Sequence, residues 1–111
     1  MDFKDYEDKA SETAKYRGRG EGNLEYPSLK LCSEAGEVSG KVAKFLYHGV
    51  GGKEIADIRD PLIKELGDVL WYLAACCYEL DTTLDEVAQV NIDKLSGRLE
   101  RGTIAGNGDE R

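Results

Sequence analysis

Apolar residues recur along this chain in four stretches at three- and four-residue steps, the spacing that lines one face of an α-helix. The densest is Glu65-Leu66-Gly67-Asp68-Val69-Leu70-Trp71-Tyr72-Leu73-Ala74-Ala75-Cys76-Cys77-Tyr78, in which Asp68 is the only ionised side chain after Glu65. At about 100° per residue the apolar side chains cover nearly the whole circumference, which predicts a helix enclosed by other helices. Asp68 then needs a cation, a set of hydrogen-bond donors or a water-filled cleft, because an unpaired buried charge is costly. Asp60-Pro61 reads as an N-cap followed by proline in the first helical position. The helix is expected from there to about Leu80, with Ile63, Leu66, Leu70, Leu73, Cys77 and Leu80 as its core seam.

Phe3, Tyr6, Ala10, Thr13, Ala14 and Arg17 mark an amphipathic first helix over residues 1–17. Gly18, Gly20 and Gly22 then force a loop over 18–26, either a mobile connector or a loop that closes over an anion. Tyr26-Pro27-Ser28 opens a second helix to about Tyr47, with Leu31, Ala35, Val38, Val42, Phe45 and Leu46 as its apolar stripe. A second stripe, Gly36, Ser39, Gly40 and Ala43, is small enough for close helix packing, which would offset the helix-weakening effect of glycine. His48 beside Gly49 is expected as a helix-terminal residue favoured by the dipole. Thr83-Leu84-Asp85-Glu86 has capping-box spacing and starts a fourth helix to about Arg101, burying Leu84, Ala88, Leu95 and Leu99. Residues 102–111 are glycine-rich and form an irregular tail.

With no alternating strand pattern, these segments predict an all-α four-helix bundle in a single domain over residues 1–111. The small-residue stripe and the aromatic residues of the third helix predict that the bundle is completed by a second subunit, as a homodimer or homotetramer.

Composition narrows the function. The 22 acidic and 15 basic side chains leave a net charge of -7, which opposes non-specific binding to nucleic acid or an anionic membrane. No apolar run approaches the ~18 residues of a membrane span, and the start lacks the pattern of a signal peptide. A soluble, cytoplasmic protein is expected. Cys32, Cys76 and Cys77 fit neither a disulfide framework nor a zinc site, and read as buried free thiols.

The candidate chemistry lies in carboxylates. Glu34 and Glu37 stand three apart on the second helix, and Glu65 and Asp68 stand three apart on the third. Each pair lies about 60° apart around its axis, so two facing helices would bring four carboxylates together. Their repulsion would destabilise the fold unless cations sat between them, and an all-oxygen donor set favours Mg²⁺ or Mn²⁺ over zinc or copper. On the fourth helix, Asn91, Lys94, Arg98 and Arg101 form a stripe suited either to phosphate oxygens or to a solvated edge. Trp71, Tyr72 and Tyr26 could stack on a base that Asn23 or Asp81 reads, or could be core residues.

These residues resemble the MazG-like family of all-α nucleoside triphosphate pyrophosphohydrolases. The family's Glu-x-x-Glu, gap, Glu-x-x-Asp pattern appears as Glu34-Ala35-Gly36-Glu37 and Glu65-Leu66-Gly67-Asp68. Asn91 with Lys94 and Arg98, and Arg101-Gly102-Thr103-Ile104 through Gly106-Asn107-Gly108-Asp109, look like its small single-domain members, including those of bacteriophages. The similarity spans about residues 24–111. It implies hydrolysis of a (deoxy)nucleoside triphosphate to the monophosphate and pyrophosphate, in a bacterial or phage-infected host cytoplasm, with dGTP or GTP favoured. Glu34, Glu37, Glu65 and Asp68 would be catalytic and would hold two or more Mg²⁺ ions, with Mn²⁺ able to substitute. Lys94, Arg98, Asn91 and Arg101 would bind phosphates. Many members carry a further glutamate directly before the first metal-binding one; here Ser33 takes that position, and a serine hydroxyl is no base at neutral pH. Two other readings stay open: a catalytically silent helical module that binds a nucleotide or a partner, and a phosphoribosyl-ATP pyrophosphatase.

Overall fold

A computed structural model describes residues 1–111 and is all-helical, with four α-helices and no strand. They are α1 (Phe3–Ser11), α2 (Glu25–His48), α3 (Arg59–Glu79) and α4 (Leu84–Arg101), with a 3₁₀ turn at Ile55–Ile58 before α3. The helix ends follow local chemistry. Asp2 caps α1 by accepting from the Asp5 amide at 2.8 Å, and Asn23 Oδ1 accepts from the Glu25 amide at 2.8 Å where α2 begins. His48 is the last residue of α2, and Gly49 takes the left-handed conformation there at φ 64°, so that Gly49 and Val50 donate back to Phe45 and Lys44.

Helix α2 packs against α3, and the pair is antiparallel. Tyr26 meets Tyr72 with ring centroids 6.1 Å apart, and Lys41 Nζ lies 3.5 Å from Glu65. Residue numbers therefore rise along one helix as they fall along the other. The core lies at the far end of α3, where Ala74 and Cys77 pack with Leu84 of α4, flanked by Tyr6 and Leu70.

Several expectations are corrected. Helix α1 stops at Ser11 instead of running to 17, because the next residues turn towards α3: Thr13 Oγ1 accepts from Trp71 Nε1 at 2.9 Å and Tyr16 donates its hydroxyl to Glu79 at 2.6 Å. Helix α3 starts at Arg59, since the 3₁₀ turn runs straight into it; Pro61 is still within the first turn, where its missing N–H would have had no partner. The capping box of α4 is half formed. Thr83 Oγ1 accepts from the Glu86 amide at 3.1 Å, while the Glu86 carboxylate takes the Thr82 hydroxyl in place of the Thr83 amide.

The largest correction concerns enclosure. Along the expected seam of α3, Ile63, Leu66, Leu73 and Leu80 are all exposed; Cys77 is buried. On α4 only Leu84 of the expected set is buried, and Leu99 is 71% exposed. Nothing lies within 4 Å of a methyl group built on Gly36 or Gly40, so the small-residue stripe is unoccupied within one chain. Of the three thiols, Cys77 is buried, Cys76 is half-buried and Cys32 is exposed. The physical reason is shape. The radius of gyration is 16.9 Å, against about 13 Å for a close-packed globule of this length.

The α4 cap offers a direct check of this local reading. Thr83→Ala is expected to lower stability by about 1 kcal/mol, leaving the Glu86 amide without its acceptor. A circular-dichroism melt should show a midpoint lower by roughly 4–8 °C.

Candidate active site

The antiparallel register of α2 and α3 sets which acidic side chains meet. Glu34, Glu65 and Asp68 each place a carboxylate oxygen so that all lie within 4.8 Å of one another. Two of them have a nearby lysine: Lys30 Nζ is 3.7 Å from Glu34 and Lys41 Nζ is 3.5 Å from Glu65. Asp68 belongs to neither ion pair and opens onto solvent, so of the three ways to accommodate a charge on this apolar helix it uses the water-filled cleft. Glu37 is exposed and lies outside the trio.

Two of the trio, Glu34 and Asp68, line an open cavity of about 460 Å³ together with Thr13, Lys15, Tyr16, Tyr26, Trp71 and Tyr72. Its aromatic wall is continuous. Tyr16 stacks on Tyr26 at 5.3 Å and 22°, Trp71 stands edge-on to Tyr16 at 6.3 Å, and Trp71 and Tyr72 meet at 4.8 Å and 76°. Partial burial, the Tyr26 hydroxyl and the negative field of Glu34 and Asp68 push the Tyr72 hydroxyl up to about 12. Tyr6 is raised by burial and by the same Asp68 charge. Of the residues read as base-binding, Trp71, Tyr72 and Tyr26 are on this wall. Asn23 is not: its side-chain oxygen is taken by the Glu25 amide, in a separate cleft with Arg17 and Glu21. Tyr16, Thr13 and Lys15 are additions that sequence spacing could not supply, since they sit on the non-helical turn after α1.

The basic stripe of α4 forms, but it faces the tail. Lys94 Nζ and Arg98 Nη2 reach Asp109 at 3.2 and 3.3 Å, Arg98 Nη2 also donates to the Asp109 and Gly108 carbonyls, and Arg101 donates to the Arg111 carbonyl at 2.6 Å. These cations hold the Asp109 carboxyl below its usual range. Arg98 is 4% exposed and its Nε has no partner. Asn91 and Lys94 line a different hollow with Thr82, Glu86, Val87 and Val90. None of Asn91, Lys94, Arg98 or Arg101 lines the cavity of Glu34 and Asp68 within this chain.

One acidic residue was missed altogether. Glu79, at the end of α3, is buried and draws the glycine loop around itself, accepting from Tyr16 Oη, from the Gly20 amide at 3.0 Å and from the Gly22 amide at 3.0 Å. The loop does close over an anion, and the anion is this side chain. Burial acts to raise the Glu79 carboxyl, but the Tyr16 hydroxyl and the two glycine amides outweigh it and hold it below the usual carboxylate range.

The sequence pattern of the MazG nucleotide pyrophosphohydrolase domain matches residues 25–102. A relative, "Gene 37 protein" of Mycobacterium phage L5, is 43% identical over 110 residues, covering 96% of each chain. No solved structure matches.

The lowered Glu79 carboxyl makes a statement about stability. A carboxylate with a depressed folded-state pKa contributes stability that is full above its unfolded value, about 4.3, and is lost as pH falls through the folded value. The stability gap between the wild type and Glu79→Gln, read from urea midpoints, should be present at pH 7 and shrink as pH drops below about 4. A gap that stays constant to pH 2.5 contradicts this.

Proposed function

Because the chain belongs to the MazG nucleotide pyrophosphohydrolase family, we propose that it hydrolyses a (deoxy)nucleoside triphosphate to the monophosphate and pyrophosphate, preferring dGTP or GTP. The observation that carries this reading is the convergence of Glu34, Glu65 and Asp68, two of which, Glu34 and Asp68, line a cavity whose other side is aromatic. An apolar ring surface next to a hard-oxygen anion cluster is what a nucleotide with its metal ions needs: the base stacks and the charged end meets the carboxylates.

The donor set fits Mg²⁺, or Mn²⁺ in its place. Three carboxylates within 4.8 Å repel one another, and only Glu34 and Glu65 have lysines near them, so the trio retains net negative charge. Glu34, Glu65 and Asp68 would hold the ions, with the exposed Glu37, one turn from Glu34 on α2, as a fourth carboxylate. Bound divalent ions supply charge neutralisation on the triphosphate and activation of water. In the reaction the α–β phosphoanhydride bond breaks, the water oxygen bonds to one phosphorus, and the bridging oxygen keeps the electron pair on the other. Ser33 cannot take the water's proton at neutral pH, which leaves that task to a carboxylate of the cluster. Tyr16, Tyr26, Trp71 and Tyr72 hold the base and exclude water from it; Lys15 presents donors of the kind that guanine O6 and N7 accept.

The working form in this reading is a homodimer or homotetramer. Leu29, Leu46, Leu66, Leu80, Val90 and Leu99 are all more than half exposed, and the glycine stripe of α2 is open. Burying such surface against a second copy is the ordinary way for a small chain to gain the core it lacks. A second copy also answers the missing cations, since its Lys94, Arg98, Asn91 and Arg101 can face the triphosphate held by the first.

Asp68→Asn is expected to lower kcat at least about a hundredfold, more than loss of an outer-shell partner, and Glu37→Gln to lower turnover as well, both with helix content unchanged. The measurement is pyrophosphate release with Mg²⁺ across the eight common triphosphates and phosphoribosyl-ATP. Full turnover in Asp68→Asn refutes the reading, and faster turnover of dCTP or dUTP than of dGTP refutes the base preference. Mixing inactive Asp68→Asn with inactive Lys94→Ala should restore activity that neither has alone; sedimentation as a monomer at micromolar concentration would overturn the shared site.

A further inference from the structure

We propose that Glu79 is a positioning residue for base recognition: by gathering the Gly18–Gly22 loop around its carboxylate it fixes Tyr16 as a wall of the cavity. This deepens the nucleotide reading and rests on it.

Glu79 is in an unfavourable place for a carboxylate. It ends α3, where the helix dipole is negative, and no basic residue lies in that last turn. It is nevertheless 8% exposed and makes no salt bridge within its own helix. Both its oxygens are used. Oε2 accepts the Tyr16 hydroxyl at 2.6 Å and the Gly20 amide at 3.1 Å; Oε1 accepts the Gly20 and Gly22 amides at 3.0 Å each. Turning those amides inward requires left-handed backbone at Gly20 and Gly22, φ 85° and 73°, which a side-chain-bearing residue would resist. Arg19, directly before Gly20, lies over the Tyr78 ring at 3.9 Å and brings a positive charge towards Glu79.

Glu79 cannot act on the phosphates itself. It is eleven residues beyond Asp68 on one helix, about 16 Å along the axis. Its route to the cavity runs through Tyr16, whose ring stacks on Tyr26 and meets the edge of Trp71. Tyr16 is outside any helix, and its hydroxyl bond to Glu79 anchors the ring alongside its stacking on Tyr26. The side chain thereby tunes affinity for the base and leaves the phosphate end untouched.

Trp71 is the only tryptophan and lies on the cavity wall, so its fluorescence reports ligand binding directly. The test measures Kd by Trp71 quenching for a non-hydrolysable α,β-imido dGTP and for inorganic tripolyphosphate, both with Mg²⁺, in the wild type, Glu79→Gln and Tyr16→Phe. In Glu79→Gln the nucleotide Kd should rise about tenfold, the loss expected for one buried hydrogen bond to a charged group, while the tripolyphosphate Kd stays put. Tyr16→Phe keeps the ring and frees it, and should weaken the nucleotide alone by a smaller factor. Turnover of dGTP should show the same change in KM with kcat retained. Equal weakening of both ligands, or no change in nucleotide Kd in either variant, overturns the proposal. Should Glu79→Gln fail to fold by circular dichroism, Tyr16→Phe decides the matter alone. A wild type that binds the imido nucleotide but hydrolyses no triphosphate removes the hydrolase reading, and the Kd comparison still judges Glu79.

Discussion

Three like charges held within 4.8 Å are the constraint around which the rest of this molecule is arranged. At that separation each pair repels by about 0.9 kcal/mol in water and about 3.5 kcal/mol at an effective dielectric of 20. The antiparallel packing of α2 on α3 imposes that cost, because the register that pairs Tyr26 with Tyr72 and Lys41 with Glu65 leaves Glu34 no position except opposite Asp68. Lys30 and Lys41 relieve part of it, and the open cleft at Asp68 keeps the dielectric high. The metal-dependent hydrolysis proposed above would give the arrangement a physical purpose.

A second carboxylate is used in the opposite way. Where the trio is open and incompletely neutralised, Glu79 is closed off and its oxygens are occupied by a hydroxyl and two loop amides. One acidic group is left available to ligands while the other is consumed in holding the wall of the same cavity. The contrast follows from position on α3: Asp68 faces α2 across a cleft, and Glu79 sits at the helix end, where the chain returning from α1 can wrap it.

The exposed leucines and the open glycine stripe belong with the unsatisfied electrostatics. Within one chain α4 touches α3 near Leu84 and then departs, carrying Lys94 and Arg98 to the tail instead of to the carboxylates. Apolar surface is left exposed on the same subunit as the carboxylate trio, and the second copy proposed above would cover it.

Much of this was legible from residue order. Helical periodicity located α2, α3 and α4 to within a residue or two at most ends, Gly49 and Thr83 marked a stop and a start through their own backbone and side-chain chemistry, and the spacing of Glu34, Glu65 and Asp68 identified the acidic group. The helix bounds and caps depend on interactions within four residues along the chain, which is the range that sequence pattern reports, whereas Glu34 meets Glu65 and Asp68 through the register of α2 on α3. The turn after Ser11, the burial of Glu79, the exclusion of Glu37 and the separation of Lys94 from the carboxylates were decided by tertiary structure alone. Each turns on where one helix lies against another. A periodic stripe shows which side chains share a face, but only the register and divergence of the packed helices determine what that face meets.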